Sequence, residues 1–127
     1  MDISLIKWKT KQKLKKLLIS EKTKVFFLHI PKSGGTSIDK AIAKHYQHSY
    51  NRIEASPSHQ AAKMLYGIDI EKGETNKLLQ FREQLVIYEM FRATQYISGH
   101  VSYNPKTWEN FHQQYVYITC LRHPVKR

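Results

Sequence analysis

The stretch 25-VFFLHIPKSGGTSIDKAIAKHY-46 joins an apolar run, a glycine turn and a segment with helical spacing. Residues 25–30 are almost wholly apolar and end at Pro31, which is typical of a buried parallel strand that leads into a loop. The apolar residues after the glycines recur at helical spacing: Ile38, Ala41 and Ile42. We therefore predict the order strand, glycine loop and helix, with the helix running from about Thr36 to about Tyr46.

The rest of the chain alternates helical and strand patterns. Ser56 and Pro57 resemble an N-cap and first helical residue, and Gly67 resembles the matching C-terminal stop. Residues 76–94 predict a longer helix, and Asn104 with Pro105 predicts the start of a short one. The apolar face of the longer helix is expected to contain Leu78, Phe81, Leu85 and Tyr88. Residues 96–101 and 115–121 predict two further buried strands.

This alternation predicts an α/β domain, a P-loop-like three-layer α/β/α arrangement with a mainly parallel sheet. At 127 residues the chain has the length of a single domain. It stops at Arg127 directly after the last predicted strand, without a helix to follow it. The sequence is therefore interpreted as a domain that is truncated at its C-terminus.

The charge balance narrows the class of partner. The chain carries 21 Lys and Arg against 10 Asp and Glu, which gives a formal net charge of +11. This excess favours anionic partners: nucleic acid, phosphorylated cofactors, acidic glycans or an anionic membrane surface. Residues 7–16 alone hold six lysines and no acid.

We divide the chain into a basic leader helix, residues 1–22, and a domain, residues 23–127. Apolar residues of the leader fall near one helical face: Ile3, Ile6, Leu14, Leu17 and Leu18. An amphipathic helix on an anionic membrane is one interpretation, and peripheral membrane contact would follow from it. A leader helix that packs on the domain, or a solvated run of charge, is the favoured alternative.

Cysteine usage and hydropathy indicate the compartment. Cys120 is the only cysteine, so an internal disulfide and a cysteine-based zinc site are both excluded. It lies in an apolar run and is interpreted as a small buried residue. No stretch has the length of a transmembrane helix, and the N-terminus lacks the features of a signal peptide. We expect a cytoplasmic protein.

The glycine turn predicts an anion site. A loop between a strand and a helix presents backbone N–H groups at the positive end of the helix dipole. Gly34 and Gly35 are expected to let an anion approach, Lys32 adds a charge, and Thr36 and Ser37 add hydroxyl donors. The nucleotide-binding P-loop has its lysine after the glycines, whereas here it comes first. A magnesium-bound nucleoside triphosphate is therefore disfavoured, and a plain strand-to-helix turn is the structural alternative.

Two residues at predicted strand ends are further candidates. Arg122 directly follows the last strand, where open α/β sheets have their ligand sites, and a guanidinium suits a phosphate. His100 ends the strand before it, next to Gly99, which would allow a substrate to approach closely. An imidazole can accept a proton near neutral pH. His29, His45, His48 and His112 have weaker claims, and the histidine spacing does not predict a metal site.

These segments together resemble one family. "HIPKSGGTSI" is similar to the 5′-phosphosulfate-binding loop of the sulfotransferases that use 3′-phosphoadenosine 5′-phosphosulfate. "YITCLRHPVKR" resembles the start of their 3′-phosphate-binding motif. "SGHVSY" resembles the G-H-V-S-Y stretch of the uronyl and heparan sulfate 2-O-sulfotransferases, and bacterial relatives share the pattern. The resemblance covers residues 25–127 and identifies them with the N-terminal part of such a domain.

The resemblance implies a role for each matched residue. Lys32 would contact the sulfuryl group, and Ser33, Gly34, Gly35, Thr36 and Ser37 would hold the 5′-phosphate. Arg122 would bind the 3′-phosphate, and His100 would deprotonate the acceptor hydroxyl. The co-substrate would be 3′-phosphoadenosine 5′-phosphosulfate without a metal, and the acceptor a carbohydrate hydroxyl.

The sequence leaves three other interpretations open. The first is a truncated, catalytically silent remnant that only binds the nucleotide or another anionic partner. The second is a P-loop kinase, and the third is nucleic-acid binding through the basic N-terminus. We rank the kinase and nucleic acid below the two sulfotransferase-related interpretations.

Overall fold

The computed structural model describes residues 23–31 and 33–121. The predicted leader helix, Lys32 and Arg122 lie outside these residues. The elements in chain order are β1 Lys24–Leu28, α1 Gly35–His45, β2 Tyr50–Ile53, α2 Ala55–Tyr66, a 3₁₀ turn Ile70–Lys72, α3 Thr75–Phe91, β3 Tyr96–Gly99, α4 Pro105–Phe111 and β4 Tyr115–Thr119. In the part of the chain that the structure describes, no helix is long and apolar enough to cross a membrane.

The strands form one four-stranded sheet in the order β2-β3-β1-β4. Each neighbouring pair is parallel, so the predicted parallel sheet is confirmed. Because parallel strands point the same way, their C-terminal ends meet at one edge of the sheet. We call this the carboxyl edge, and its strands end at Leu28, Ile53, Gly99 and Thr119.

Helices cover both faces of the sheet, which confirms the three-layer α/β/α architecture. Alternate residues of a strand point to opposite faces, and β1 is apolar on both. Phe26 packs in a core cluster with residues of α3 and α4, including Val86 and Phe111. Phe27 packs in a second cluster with Tyr46 and Ile42 at the end of α1. β1 therefore lies between the two outer layers.

The predicted helix ends are largely correct. Gly67 adopts a left-handed conformation as the C-cap of α2. Asn104 caps α4 by accepting a hydrogen bond from the Lys106 amide at 2.8 Å, and Pro105 is the first helical residue. The predicted start of α2 at Ser56 and Pro57 is wrong, because its N-cap is Glu54. Pro57 is accommodated in the first turn, since the amides there have no partner within the helix.

β2 was not predicted from the sequence. Its four residues, Tyr50–Ile53, include two exposed polar residues and lack the apolar run by which the other strands were found. Within residues 23–31 and 33–121, β2 pairs with β3 alone. An outermost strand of a sheet tolerates polar side chains because it does not have to be buried on both faces.

α1 faces the sheet only in part through the residues that its apolar spacing predicts, because Ile42 packs against the core and Ile38 does not. Ile38 is 42% exposed, whereas Asp39 is buried. The Asp39 carboxylate accepts hydrogen bonds of 2.6 Å from Tyr96 Oη on β3 and from Arg52 Nη2 on β2. A buried carboxylate is tolerated when it is paired and hydrogen-bonded, so this group joins α1 to two strands.

α3 also buries polar groups that its apolar spacing does not predict. Arg82, Glu83 and Glu89 are buried, while Tyr88, expected on the apolar face, is 61% exposed. Glu83 accepts a hydrogen bond from Thr107 Oγ1 at 2.6 Å, and Glu89 accepts one of 2.6 Å from Thr94 Oγ1. The inner side of α3 is therefore fixed to its neighbours by polar contacts as well as by packing.

The Asp39 contacts lead to a stability prediction. Tyr96→Phe removes one of the two donors to a buried carboxylate, and we expect the free energy of unfolding to fall by about 2 kcal/mol. The measurement is urea denaturation followed by circular dichroism. Tyr66→Phe is the matched control, because Tyr66 is exposed. Equal losses in the two variants would contradict the role assigned to the Tyr96 hydroxyl.

Candidate functional site

The carboxyl edge carries a cleft of about 450 Å³. Its walls come from the segments that follow β1, β2 and β3 and from the first turns of α1. The lining includes His29, Thr36, Asp39, Arg52, Glu54 and His100. We call this the His100 cleft. It brings together two of the predicted site residues, Thr36 from the glycine loop and His100 from the end of β3.

His100 is held in a defined orientation. Its Nδ1 atom lies 2.6 Å from the backbone carbonyl oxygen of His29. A carbonyl can only accept, so Nδ1 carries the hydrogen and, in the neutral ring, Nε2 keeps its lone pair. Nε2 has no hydrogen-bond partner among the described residues. Nε2 of the neutral ring is therefore available as a hydrogen-bond acceptor in the cleft.

His29 belongs to the same cleft, although sequence analysis had assigned it a weak claim. β1 ends at Leu28, so His29 is already outside the strand. Its ring stacks on that of His100, with centroids 4.4 Å apart and planes 27° apart. Burial, and next the charge of His100, hold the pKa of His29 below its usual value. The only sequence signal was a polar residue that interrupts the apolar run just before Pro31.

The glycine loop is closed by local contacts. Ser33 Oγ donates a hydrogen bond of 2.6 Å to the Ile30 carbonyl. Gly34 has φ +82°, in the left-handed region that favours glycine. Gly35 packs against His29, since a Cβ there would lie 2.8 Å from Cδ2 and 2.9 Å from Nε2 of that ring. Both glycines were expected to make room for an anion; in the structure Gly34 allows the turn and Gly35 makes room for an imidazole.

The N-terminus of α1 has the properties of an anion site. Gly34 makes no side-chain cap, and the first turn of α1 contains no acidic residue. Thr36 and Ser37 are exposed there. The first amides of a helix have no partner within the helix, and together with the dipole they favour a negative charge. These residues fit a phosphate or phosphosulfate group.

The end of β4 is joined to the glycine loop. Thr119 Oγ1 donates a hydrogen bond of 2.7 Å to the Leu28 carbonyl. The half-buried thiol of Cys120 donates to the Ser33 carbonyl at 3.3 Å. Cys120, two residues before Arg122, is therefore in contact with the loop. Arg122 itself lies outside the described residues.

Gly99 lies between the side chain of Ile53 on β2 and the His100 cleft. The sequence predicts that the missing side chain of Gly99 allows a substrate to approach. A Cβ at this position would lie 2.9 Å from Cβ of Ile53 on β2. Gly99 therefore allows β2 and its side chains to approach β3, and it also lines the His100 cleft.

Arg82 of α3 supports the wall of the cleft and was missed by sequence analysis. The buried guanidinium donates from Nε to Ser58 Oγ at 2.8 Å, from Nη1 to the His100 carbonyl at 3.3 Å, and from Nη2 to the Ala55 carbonyl at 3.2 Å. No carboxylate pairs with it among the described residues. Burial holds its pKa below the usual value. Arg82 joins the first turn of α2 to the backbone of His100.

We expect Arg82→Met to lower the free energy of unfolding by about 1–3 kcal/mol, because it removes the donor from the buried Ser58 hydroxyl and from the carbonyls of Ala55 and His100. Arg92→Met, near the end of the same helix, removes an exposed guanidinium paired with Glu89 and should cost about 0–1 kcal/mol. Chemical denaturation of both variants gives the comparison. If Arg82→Met were no more destabilising than Arg92→Met, the three hydrogen bonds would not hold this wall.

Comparison with known proteins identifies the family. No curated protein and no solved structure was found to match the chain. A family model described as "Sulfotransferase family" matches residues 15–127, which is most of the chain and includes the glycine loop, His100 and Arg122. The chain belongs to the sulfotransferase family.

Proposed function

We propose that this chain binds 3′-phosphoadenosine 5′-phosphosulfate at the carboxyl edge and transfers its sulfuryl group to a carbohydrate hydroxyl, with His100 as the base. Membership of the family supports sulfuryl transfer in general. The observation that carries the proposal is the orientation of His100. Its Nδ1–H is bonded to the His29 carbonyl, and the ring lines the same cleft as Thr36 of the glycine loop.

The donor's 5′-phosphate would be held by the first turn of α1. The amides from Gly34 to Ser37 and the hydroxyls of Thr36 and Ser37 supply donors, and the first turn contains no acidic residue. Asp39, in the next turn, is paired with Arg52. Lys32 would contact the sulfuryl group, and Arg122 would bind the 3′-phosphate through its guanidinium. Thr119 bonds to the end of β1 and Cys120 bonds to the glycine loop, and these contacts support a site that extends from the loop to the segment after β4.

The proposed transfer needs one base and a set of positive groups, and these residues supply both. The acceptor oxygen forms a bond to sulfur while the bond from sulfur to the bridging phosphate oxygen breaks, and the leaving nucleotide keeps that electron pair. His100 Nε2 takes the hydroxyl proton. The loop amides and Lys32 stabilise the charge that develops on the leaving oxygen, so positioning and electrostatics supply the catalysis.

The acceptor would occupy the His100 cleft. Its volume of about 450 Å³ lies in the range of small-molecule sites. Arg52, exposed over part of its side chain, and Glu54 add polar groups at the wall. A carbohydrate acceptor is supported by the resemblance of "SGHVSY" to 2-O-sulfotransferases, and by the net charge of +11 if the carbohydrate is acidic.

His100→Asn tests the base directly. The amide nitrogen of Asn branches from the same carbon as Nδ1 of His, so it can still donate to the His29 carbonyl, but Nε2 is lost. We expect turnover with labelled donor and a panel of carbohydrate acceptors to fall by about 10²–10⁴-fold. The affinity for adenosine 3′,5′-bisphosphate should remain almost unchanged, since His100 takes no part in holding the nucleotide.

His112→Asn is the matched control. His112 is exposed at the end of α4, and its Nδ1 lies 3.0 Å from the Trp108 carbonyl, so it has a similar backbone contact outside the cleft. Turnover should be unchanged in this variant. A fully active His100→Asn protein would refute the base assignment. A wild-type chain that binds the bisphosphate but transfers no sulfate to any acceptor would favour the silent remnant instead.

A further inference from the structure

We propose that His29 is a second functional histidine, whose imidazole donates a hydrogen bond to the anionic group held at the N-terminus of α1. This inference rests on the proposed function, because it names a further binding residue for the same donor. The His29 ring would bind the ligand, while the His29 carbonyl orients His100.

The ring lies between the two parts of the proposed site. One edge, with Cδ2 and Nε2, lies against Gly35, the first residue of α1. One face stacks on the His100 ring at a centroid distance of 4.4 Å. The ring also lines the His100 cleft together with Thr36. A group that passes from the loop to an acceptor beside His100 would therefore pass next to His29.

The ring nitrogens are available to a ligand. Neither of them has a hydrogen bond within residues 23–31 and 33–121. The ring is half-buried, and an imidazole normally uses its nitrogens for hydrogen bonds when it is removed from water. Because no protein group fixes the tautomer, an anion near Nε2 can select the form that carries hydrogen there.

Burial, with the charge of His100 next, favours the neutral ring of His29 by lowering its pKa. Its pKa is lowered by burial first and then by His100, while Asp39 raises it and Arg52 lowers it. A neutral imidazole still donates one hydrogen bond. It also places no second positive charge beside His100 when that ring takes up the acceptor proton. His29 therefore suits hydrogen bonding to the donor better than charge neutralisation.

The position of the His29 ring requires a glycine at position 35. Any side chain at position 35 would begin within 3 Å of the His29 ring. The ring would then have to leave its place between α1 and His100. The second glycine of the loop and the histidine before Pro31 thus form one unit.

The test is isothermal titration calorimetry of the full chain with adenosine 3′,5′-bisphosphate. His29→Phe keeps the backbone carbonyl and a stacking ring but removes both nitrogens, and affinity should fall about tenfold. His29→Gln places an amide nitrogen where Nε2 was and should restore most of the affinity. His48→Phe, in the exposed turn after α1, should bind like the wild type.

A second measurement on the wild-type chain needs no variant. Histidine ¹⁵N resonances should show Nε2 of His29 shifting as the bisphosphate is added, with His48 unchanged. His29→Phe with wild-type affinity, equal losses in the Phe and Gln variants, or an unchanged His29 resonance would each overturn the inference and leave the proposed function intact. A wild-type chain that binds no bisphosphate would overturn both.

Discussion

The hydrogen bond from His100 Nδ1–H to the His29 carbonyl joins the ends of two neighbouring parallel strands. β1 and β3 pair from Val25 with Tyr96 to Leu28 with Gly99, and the His29 amide continues the ladder to the Gly99 carbonyl at 2.9 Å. The first residue after each of these two strands is a histidine. Because the strands are paired in this register, the two rings are in contact. Their stacking and the tautomer of His100 both follow from the strand register.

Buried polar groups hold the helices around this pair. Asp39 joins α1 to β2 and β3, and Arg82 joins α3 to the first turn of α2 and to the His100 carbonyl. Apolar packing tolerates small shifts, whereas a buried charge needs its partners at fixed distances. The sheet therefore determines where the site lies, and the buried charges of Asp39 and Arg82 fix the surrounding helices in place.

Sequence patterns predicted the elements for which the apolar spacing and the turn or cap residues indicate the same structure. The apolar run of β1, the glycines and the helical spacing after them gave β1 and α1, and Asn104 with Pro105 gave the start of α4. β2 was missed because its pairing with β3 stabilises it, and that contact is not local in sequence. The parallel sheet then followed from the alternation of strands and helices.

The candidate site was predicted in outline. Motif spacing predicts the glycine loop and His100 as site residues, because phosphate binding and base chemistry depend on residue type and on position after a strand. The structure brings Thr36 of that loop and His100 into one cleft, and their chemical roles stay predictions. His29 had only a weak claim because it lies in a predicted strand, and Arg82 was missed because it lies in a predicted helix, where a charge is normally exposed. The partner of Gly99, Ile53, belongs to the strand that was not predicted.

The proposed site depends on the first turn of α1 holding the nucleotide close to His100. Backbone amide chemical shifts of the wild-type chain, followed by ¹H–¹⁵N NMR as adenosine 3′,5′-bisphosphate is added, test this most directly. The largest shifts should occur at Gly34 to Ser37, with smaller ones at His29 and His100. Saturating shifts confined to α2 and the 3₁₀ turn, with the loop amides unchanged, would contradict a nucleotide site at the carboxyl edge.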